Sequence, residues 1–396
     1  MYFKKNNYNF LIIFLLGFIL RAFSIFLFGD KIIDNEWGVI LANFETNKVF
    51  GFRSFENVVL PTVFMPPLYL FFLFSLKKIY FLSSGYVEFV LYIQLIISML
   101  GAYFFYKLLK IYFSDILSLL GLAIYIFFPL NIFSVSQISS ITLNVFFLIS
   151  YFLNLIVFIK YKKKKNLIFF SILSALLILV RGEFFVFFFM TILFLALTKV
   201  NLKNIILCLI ITFFIISPYI YRNYITFNEI TITKSFGYNL WKGNNKFSKP
   251  EGYEKIHDVI FKAKIEKLDK NNQYDIEIDK LYKNVAFDNL KNDPKKYLKL
   301  FIKKLFSFFI LDLDSTYPNY YHILHIFPKI VIGILSFIGM VCSFKRFNDF
   351  TFFGIFYLFY ALLFSIFFIL PRYSLIFLPL QILLTLNLFN IAKLKK

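Results

Sequence analysis

Residues 10–43 read FLIIFLLGFILRAFSIFLFGDKIIDNEWGVILAN. A nearly unbroken apolar run from Phe10 to Phe28 ends at Gly29-Asp30-Lys31, and the carboxylates of Asp34 and Glu36 follow two residues apart. As a helix, the run is long enough to cross a hydrocarbon core of about 30 Å. It is too long for the core of a signal peptide and lacks a small-residue cleavage site, so it is expected to persist as a span. Similar runs recur to the end of the chain. With 60% of its 396 residues hydrophobic and a mean hydropathy of +0.73, the chain has more apolar surface than a soluble domain needs. The fold class expected is an all-α polytopic membrane protein.

The net charge of +21 raises the question of nucleic acid. The lysines are spread over short loops and one polar segment, with no compact basic module, so no nucleic-acid partner is expected. Phe, Ile, Lys, Asn and Tyr dominate, which is the usage of an AT-rich genome, and part of the charge serves topology. Cys208 and Cys342 fall in apolar runs, which gives no disulfide framework. His257, His322 and His325 have no HExxH spacing, so neither metal nor other cofactor is expected, and an interfacial placement suits His322 and His325.

Basic clusters orient the chain: Lys4-Lys5, Lys107 and Lys110, Lys160 with Lys162 to Lys165, Lys199 and Lys203, Lys345-Arg346, and Lys393 with Lys395-Lys396. All are candidates for the cytoplasmic face. They share that face only if two apolar segments do not cross. Residues 66–81 begin with Pro66-Pro67 and carry Lys77-Lys78; residues 297–313 carry Lys299, Lys303 and Lys304 among apolar residues at helical spacing. Both read as interfacial helices on the outer surface. Ten spans then remain, at about 10–28, 86–108, 114–131, 138–159, 166–180, 184–198, 204–220, 324–343, 350–370 and 373–391, with both termini cytoplasmic. Residues 1–221 form an N-terminal module with a first outer loop at 29–85, residues 222–323 a small helical outer segment, and residues 324–396 the C-terminal spans. Asp293-Pro294 is expected to end or restart a helix in the outer segment.

Asp34 and Glu36 lie on the outer face in this topology. A carboxylate beside an apolar wall is suited to take a proton from an attacking hydroxyl or amine, although two acids also fit a solvated loop. Arg222, after Ser217-Pro218-Tyr219-Ile220-Tyr221, and Arg372, in Pro371-Arg372-Tyr373, interrupt apolar sequence at the same face. An arginine there grips a phosphate bidentately or snorkels to the interface. Arg181 has Glu183 or a lipid headgroup as candidate partner. The stretch Gly237-Tyr238-Asn239-Leu240-Trp241-Lys242-Gly243-Asn244-Asn245 combines turn formers, amides and an aromatic, as a sugar platform or as a structured loop packed on the membrane domain.

In this order the pieces resemble the GT-C superfamily of membrane glycosyltransferases, in particular the protein-mannosyltransferase and aminoarabinose-transferase type that uses polyprenyl-phosphate sugars. The resemblance rests on Glu36-Trp37-Gly38 to Ala42-Asn43, on Gly51 to Phe55 leading to Pro61 to Tyr69, on Pro218 to Asn223 with Gly237 to Asn245, on Asp293 to Leu298 with Lys304, and on Arg372-Tyr373 with Pro379. It implies an inverting transferase acting at the periplasmic face of a bacterial inner membrane, as part of cell-envelope assembly. The donor would be a polyprenyl-phosphate sugar and the acceptor a glycan, lipid or protein. It implies Asp34 or Glu36 as catalytic base, Arg222 and Arg372 at the donor phosphate, and Tyr69, Asn239, Trp241 and Asn244 at the substrate. Many relatives carry an acid after the proline of the second outer loop; residues 129–140 have no acid there, with Ser136, Gln137, Ser139 and Ser140 among their polar residues, which favours a metal-free reaction. Two other functions fit a polytopic chain. A transporter or flippase for a lipid-linked saccharide would show repeats and mid-membrane charges, and neither is evident. A catalytically silent scaffold is suggested only by the missing acid.

Overall fold

The computed structural model describes residues 2–345 and 348–393, with side chains from Tyr8 to Lys345 and from Asn348 to Asn390. The side chains of Lys4, Lys5 and Lys393, and residues Arg346, Lys395 and Lys396, named above as topology signals, lie outside the described residues.

Helix α1 spans Tyr2–Phe28, and α2, Glu36–Asn47, begins at the acidic segment. A two-stranded hairpin follows, β1 Arg53–Phe55 against β2 Val58–Leu60, with Arg53 opposite Leu60. Its turn residues Glu56 (φ 48°) and Asn57 (φ 67°) are both left-handed, the backbone a two-residue hairpin turn needs. Then come α3 Leu68–Ile79, α4 Tyr86–Leu109, α5 Asp115–Phe127, α6 Pro129–Phe133, α7 Ile141–Tyr161, α8 Lys164–Val180, α9 Phe184–Leu197 and α10 Leu202–Phe227. The outer segment holds α11 Phe236–Gly243, α12 Val259–Glu266, α13 Tyr274–Asn292 and α14 Pro294–Phe309. The chain ends with α15 Ile323–Ser343, α16 Asp349–Ile366, α17 Pro371–Ile376 and α18 Leu378–Lys393.

The helical class expected from composition is the one observed. The span count is not: among the described residues six helices are long and apolar enough to cross a membrane, or seven if the bent pair α5–α6 is one span. The shortfall comes from short apolar helices such as α9, only 14 residues long. Neither α3 nor α14, read as interfacial, is among the six. Asp293 does restart the helix: its side chain accepts the Lys296 N–H at 3.1 Å and Pro294 opens α14, the position where a missing N–H costs nothing.

Two features place the second outer loop. Pro129 cannot continue α5, and Phe128 before it is extended (ψ 117°), so α5 and α6 meet at 57°. The bend leaves carbonyls at the end of α5 without helical partners. Arg21, fully buried in α1, donates to Ile126 O at 3.0 Å, to Gly17 O at 3.2 Å and to Ser98 Oγ at 3.1 Å. A guanidinium supplies enough donors for that, in a setting where an unmade hydrogen bond is expensive. Gly17 permits the approach: a Cβ there would stand 2.3 Å from Ile126 Cγ2.

Candidate functional site

The acidic segment is pinned rather than loose. Asn35 caps α2: its Oδ1 accepts the Trp37 N–H at 3.1 Å, and its Nδ2 donates to Ile138 O at 3.0 Å in the second outer loop. Glu36 is therefore the first residue of a helix, not part of a loop. Both Asp34 and Glu36 are exposed. Asp30, passed over in the sequence, is half-buried next to them. Burial raises its pKa, the Ile138 N–H opposes this, and the charge of Asp34 raises it further.

A continuous set of ring contacts links α11 to the first loop. The charge of Glu36 reaches Tyr238, whose pKa is raised mainly by burial, then by Glu254 and, as a smaller effect, by Glu36. The Tyr238 ring meets Phe64 edge-on at 5.6 Å, and Phe64 stacks on Phe52 with Arg53 over both rings. Arg53 pairs with the buried Asp275 of α13. That carboxylate also accepts from the Thr62 hydroxyl and, at 3.2 Å, from the Val63 N–H.

Arg222 belongs to the same network. It lies inside α10, which runs on to Phe227, and not after the end of a span as the sequence suggested. It donates to Thr62 O at 2.9 Å and Asn223 Oδ1 at 2.8 Å, reaches Phe50 O at 3.4 Å, and is flanked by the Phe50 and Phe227 rings. Its guanidinium braces the first outer loop with part of its donor set. Arg372, at the start of α17, is exposed, and among the described residues it makes no hydrogen bond or ion pair; Tyr317 lies within reach of its charge. Arg181 finds its partner in Glu183 and stacks on Phe364 and Tyr373.

The stretch 237–245, expected to be a loop, is mostly helix, and its glycines have packing reasons. Gly237 lies against Asp279 O and Gly243 against Phe367 O, where a Cβ would stand 2.0 and 1.8 Å away. Trp241, 4% exposed, packs among Tyr238, Phe261 and Tyr282. Asn244, 3% exposed, is a junction: Nδ2 donates to Leu240 O and Ile366 O, both at 2.8 Å, its carbonyl accepts from Asn289, and its Oδ1 accepts from Lys304. Tyr69 is fully buried with its hydroxyl on Gln94 Oε1 at 2.9 Å. Of the four residues assigned to substrate, only Asn239 keeps a half-exposed side chain with no hydrogen bond among the described residues. Gly243→Ala is expected to destabilise the protein by about 1–3 kcal/mol, because backbone must yield to backbone; a thermal melt in detergent checks it.

Lys304 of α14 enters this knot from below. It is fully buried and donates to Gly243 O at 2.8 Å and Asn244 Oδ1 at 3.1 Å, and burial pulls its pKa down to about 7. Between that value and the ordinary 10.5 the unfolded chain binds a proton that the folded chain does not. Stability should therefore rise with pH across this window, and the full cost of the buried ammonium is felt below it. In Lys304→Met the rise should disappear, seen as a flatter melting temperature between the two ends of the window.

Among the described residues no group of three or more His, Cys, Asp or Glu is arranged to hold a metal ion. Glu36 opens α2 and Asp34 precedes it, Tyr238 and Asn239 lie on α11, Arg222 is tied to the first loop through Thr62 and Phe50, and Arg372 lies at the start of α17, which packs on α6.

No protein-family model matches the sequence, and no curated protein matches it. The structure is similar to that of the oligosaccharyltransferase of the archaeon Archaeoglobus fulgidus in its apo form, with a TM-score of 0.54 and 12% identity over 96% of this chain. The chain spans half of the length of that protein, 50%. That enzyme is a GT-C protein, and the likeness covers membrane helices and outer segment alike: the chain has the GT-C fold.

Proposed function

We propose that the protein is an inverting glycosyltransferase that moves a sugar from a polyprenyl-phosphate donor to a glycan, lipid or protein acceptor at the outer face of a bacterial inner membrane. What supports this reading is the GT-C fold together with two first-loop carboxylates exposed at the start of α2 and an arginine, Arg222, tied to the same loop through Thr62. In the reaction, Asp34 or Glu36 takes the acceptor proton as the acceptor oxygen or nitrogen attacks the anomeric carbon. The bond from that carbon to the phosphate oxygen breaks on the opposite side, and polyprenyl phosphate leaves with its new charge held by Arg222 and Arg372. The free donors of Arg222 and the unpaired Arg372 suit that role. Asn239 presents an amide to sugar hydroxyls, while Tyr69, Trp241 and Asn244 act on the substrate through the wall they build behind it. In this reading ten segments cross the membrane, both termini are cytoplasmic, and α3 and α14 lie in the outer interface.

Incubating the purified protein in detergent with labelled polyprenyl-phosphate sugars and envelope extract tests this. Donor should be consumed without any membrane gradient, releasing polyprenyl phosphate and a product of inverted anomeric configuration. A protein that moves the donor across vesicles yet never cleaves it is a transporter, and the proposal fails.

A further inference from the structure

Asp30 has no role in the reaction as written above, yet its surroundings are the most ordered polar contacts of the acidic segment. Its Oδ2 accepts the Ile138 N–H at 2.6 Å and its own N–H donates to Ser136 O at 3.0 Å. Five residues on, Asn35 donates to the carbonyl of the same Ile138 at 3.0 Å. The N–H and C=O of one residue of the second outer loop are thus held by side chains on either side of Asp34. The loop is tied at two more points: Gln137 Nε2 donates to Phe28 O at 3.2 Å, and Gln94 Nε2 donates to Gln137 O at 2.9 Å. Gln94 in turn accepts from Tyr69.

We propose that Asp30 is a positioning residue of the outer-face site: with Asn35 it clamps Ile138 and so fixes the segment carrying Asp34 and Glu36 against the second outer loop. Its role in transfer rests on the glycosyltransferase reading; the clamp itself does not. Three features point to positioning rather than proton transfer. The carboxylate is already spent on a backbone N–H. It is set back from the exposed Asp34 and Glu36 and shielded by the loop it holds. And the contact requires only an acceptor oxygen, so an amide can replace the carboxylate. The clamp also accounts for a loop without acids of its own at 129–140: its geometry is imposed from the first loop.

The test compares Asp30→Ala, Asp30→Asn and Asn35→Ala in the full-length protein, reading amide hydrogen exchange over residues 30–40 and 134–140 beside transfer kinetics. In Asp30→Ala, exchange of both segments should quicken by roughly tenfold or more, since losing the clamp lets them open locally. Asp30→Asn should restore protection to within about threefold of wild type. In transfer, kcat should fall by about 10- to 100-fold in Asp30→Ala with donor KM little changed, the signature of a displaced reacting group, and Asp30→Asn should recover it. Asn35→Ala should resemble Asp30→Ala, and the double change should be less than additive because both act on Ile138. Unchanged exchange in Asp30→Ala overturns the clamp. Protection restored by Asp30→Asn without recovery of kcat shows that the charge matters, and overturns a purely positioning role. If wild type transfers no sugar, the function above fails while exchange still decides the clamp.

Discussion

Asp34→Asn or Glu36→Gln is expected to lower sugar transfer by about 10²–10⁴-fold, the worth of a general base, with the amount of folded protein unchanged. Both side chains are exposed, and neither makes a hydrogen bond that an amide would break. The two carboxylates stand differently. Asp34 lies between the two clamp residues, beside Asp30; Glu36 opens α2, with Tyr238 within reach of its charge. One proton is moved per transfer, so one of the two changes should show the full loss. The double change should be no worse than the stronger single one. Initial rates at saturating donor, normalised to protein in the membrane, decide between them. Transfer that survives both single changes and the double change sinks the assignment to this segment.

The sequence carried the helical class and the restart at Asp293-Pro294, because each depends on local chemistry: run length and proline geometry. Glu183, one of the two candidate partners of Arg181, is the one observed, and it was within reach of a sequence reading because the two are two residues apart. What stayed hidden was what needs partners distant in sequence. Asp30 looked like the polar end of a span because its partner, Ile138, is 108 residues away. The sequence alone offers no partner for Arg21, because Ile126 O, at the break after α5, is 105 residues away. The hairpin left a faint local signal, Glu56-Asn57 between Ser54-Phe55 and Val58-Val59, without the glycine that usually marks such a turn. The reading of 237–245 as a loop failed because its glycines, taken as turn formers, are there for close approach to Asp279 and Phe367. Arg222 was legible as a cation that interrupts apolar sequence. That two of its hydrogen bonds hold the first loop was not, since Phe50 and Thr62 are 172 and 160 residues away.

Asp275→Ala is expected to cost about 3–5 kcal/mol, the range for leaving a buried ionic partner unpaired. The carboxylate is 5% exposed and serves three donors at once: Arg53 on one oxygen, Thr62 and Val63 on the other. Its loss strands a guanidinium stacked between Phe52, Phe64 and Tyr274 and leaves a buried backbone N–H unmet. Arg53 is 26% exposed, so it can turn partly to water, which places the effect toward the lower end of the range. Asp275→Asn keeps one acceptor oxygen and should cost less than Asp275→Ala. A double-mutant cycle with Arg53→Ala isolates the ion pair and should give a coupling above about 1 kcal/mol. The consequence extends to the proposed donor site. Thr62 joins Asp275 to Arg222 through its hydroxyl on one side and its carbonyl on the other, so loosening Thr62 frees the arginine from its brace. Donor KM should therefore rise in Asp275→Ala even in protein that remains folded, whereas Gly243→Ala, at the far side of α11, should lower stability without that rise. Equal donor KM in the two variants would mean that the Arg53–Asp275 pair anchors α13 to the hairpin and does nothing for the phosphate.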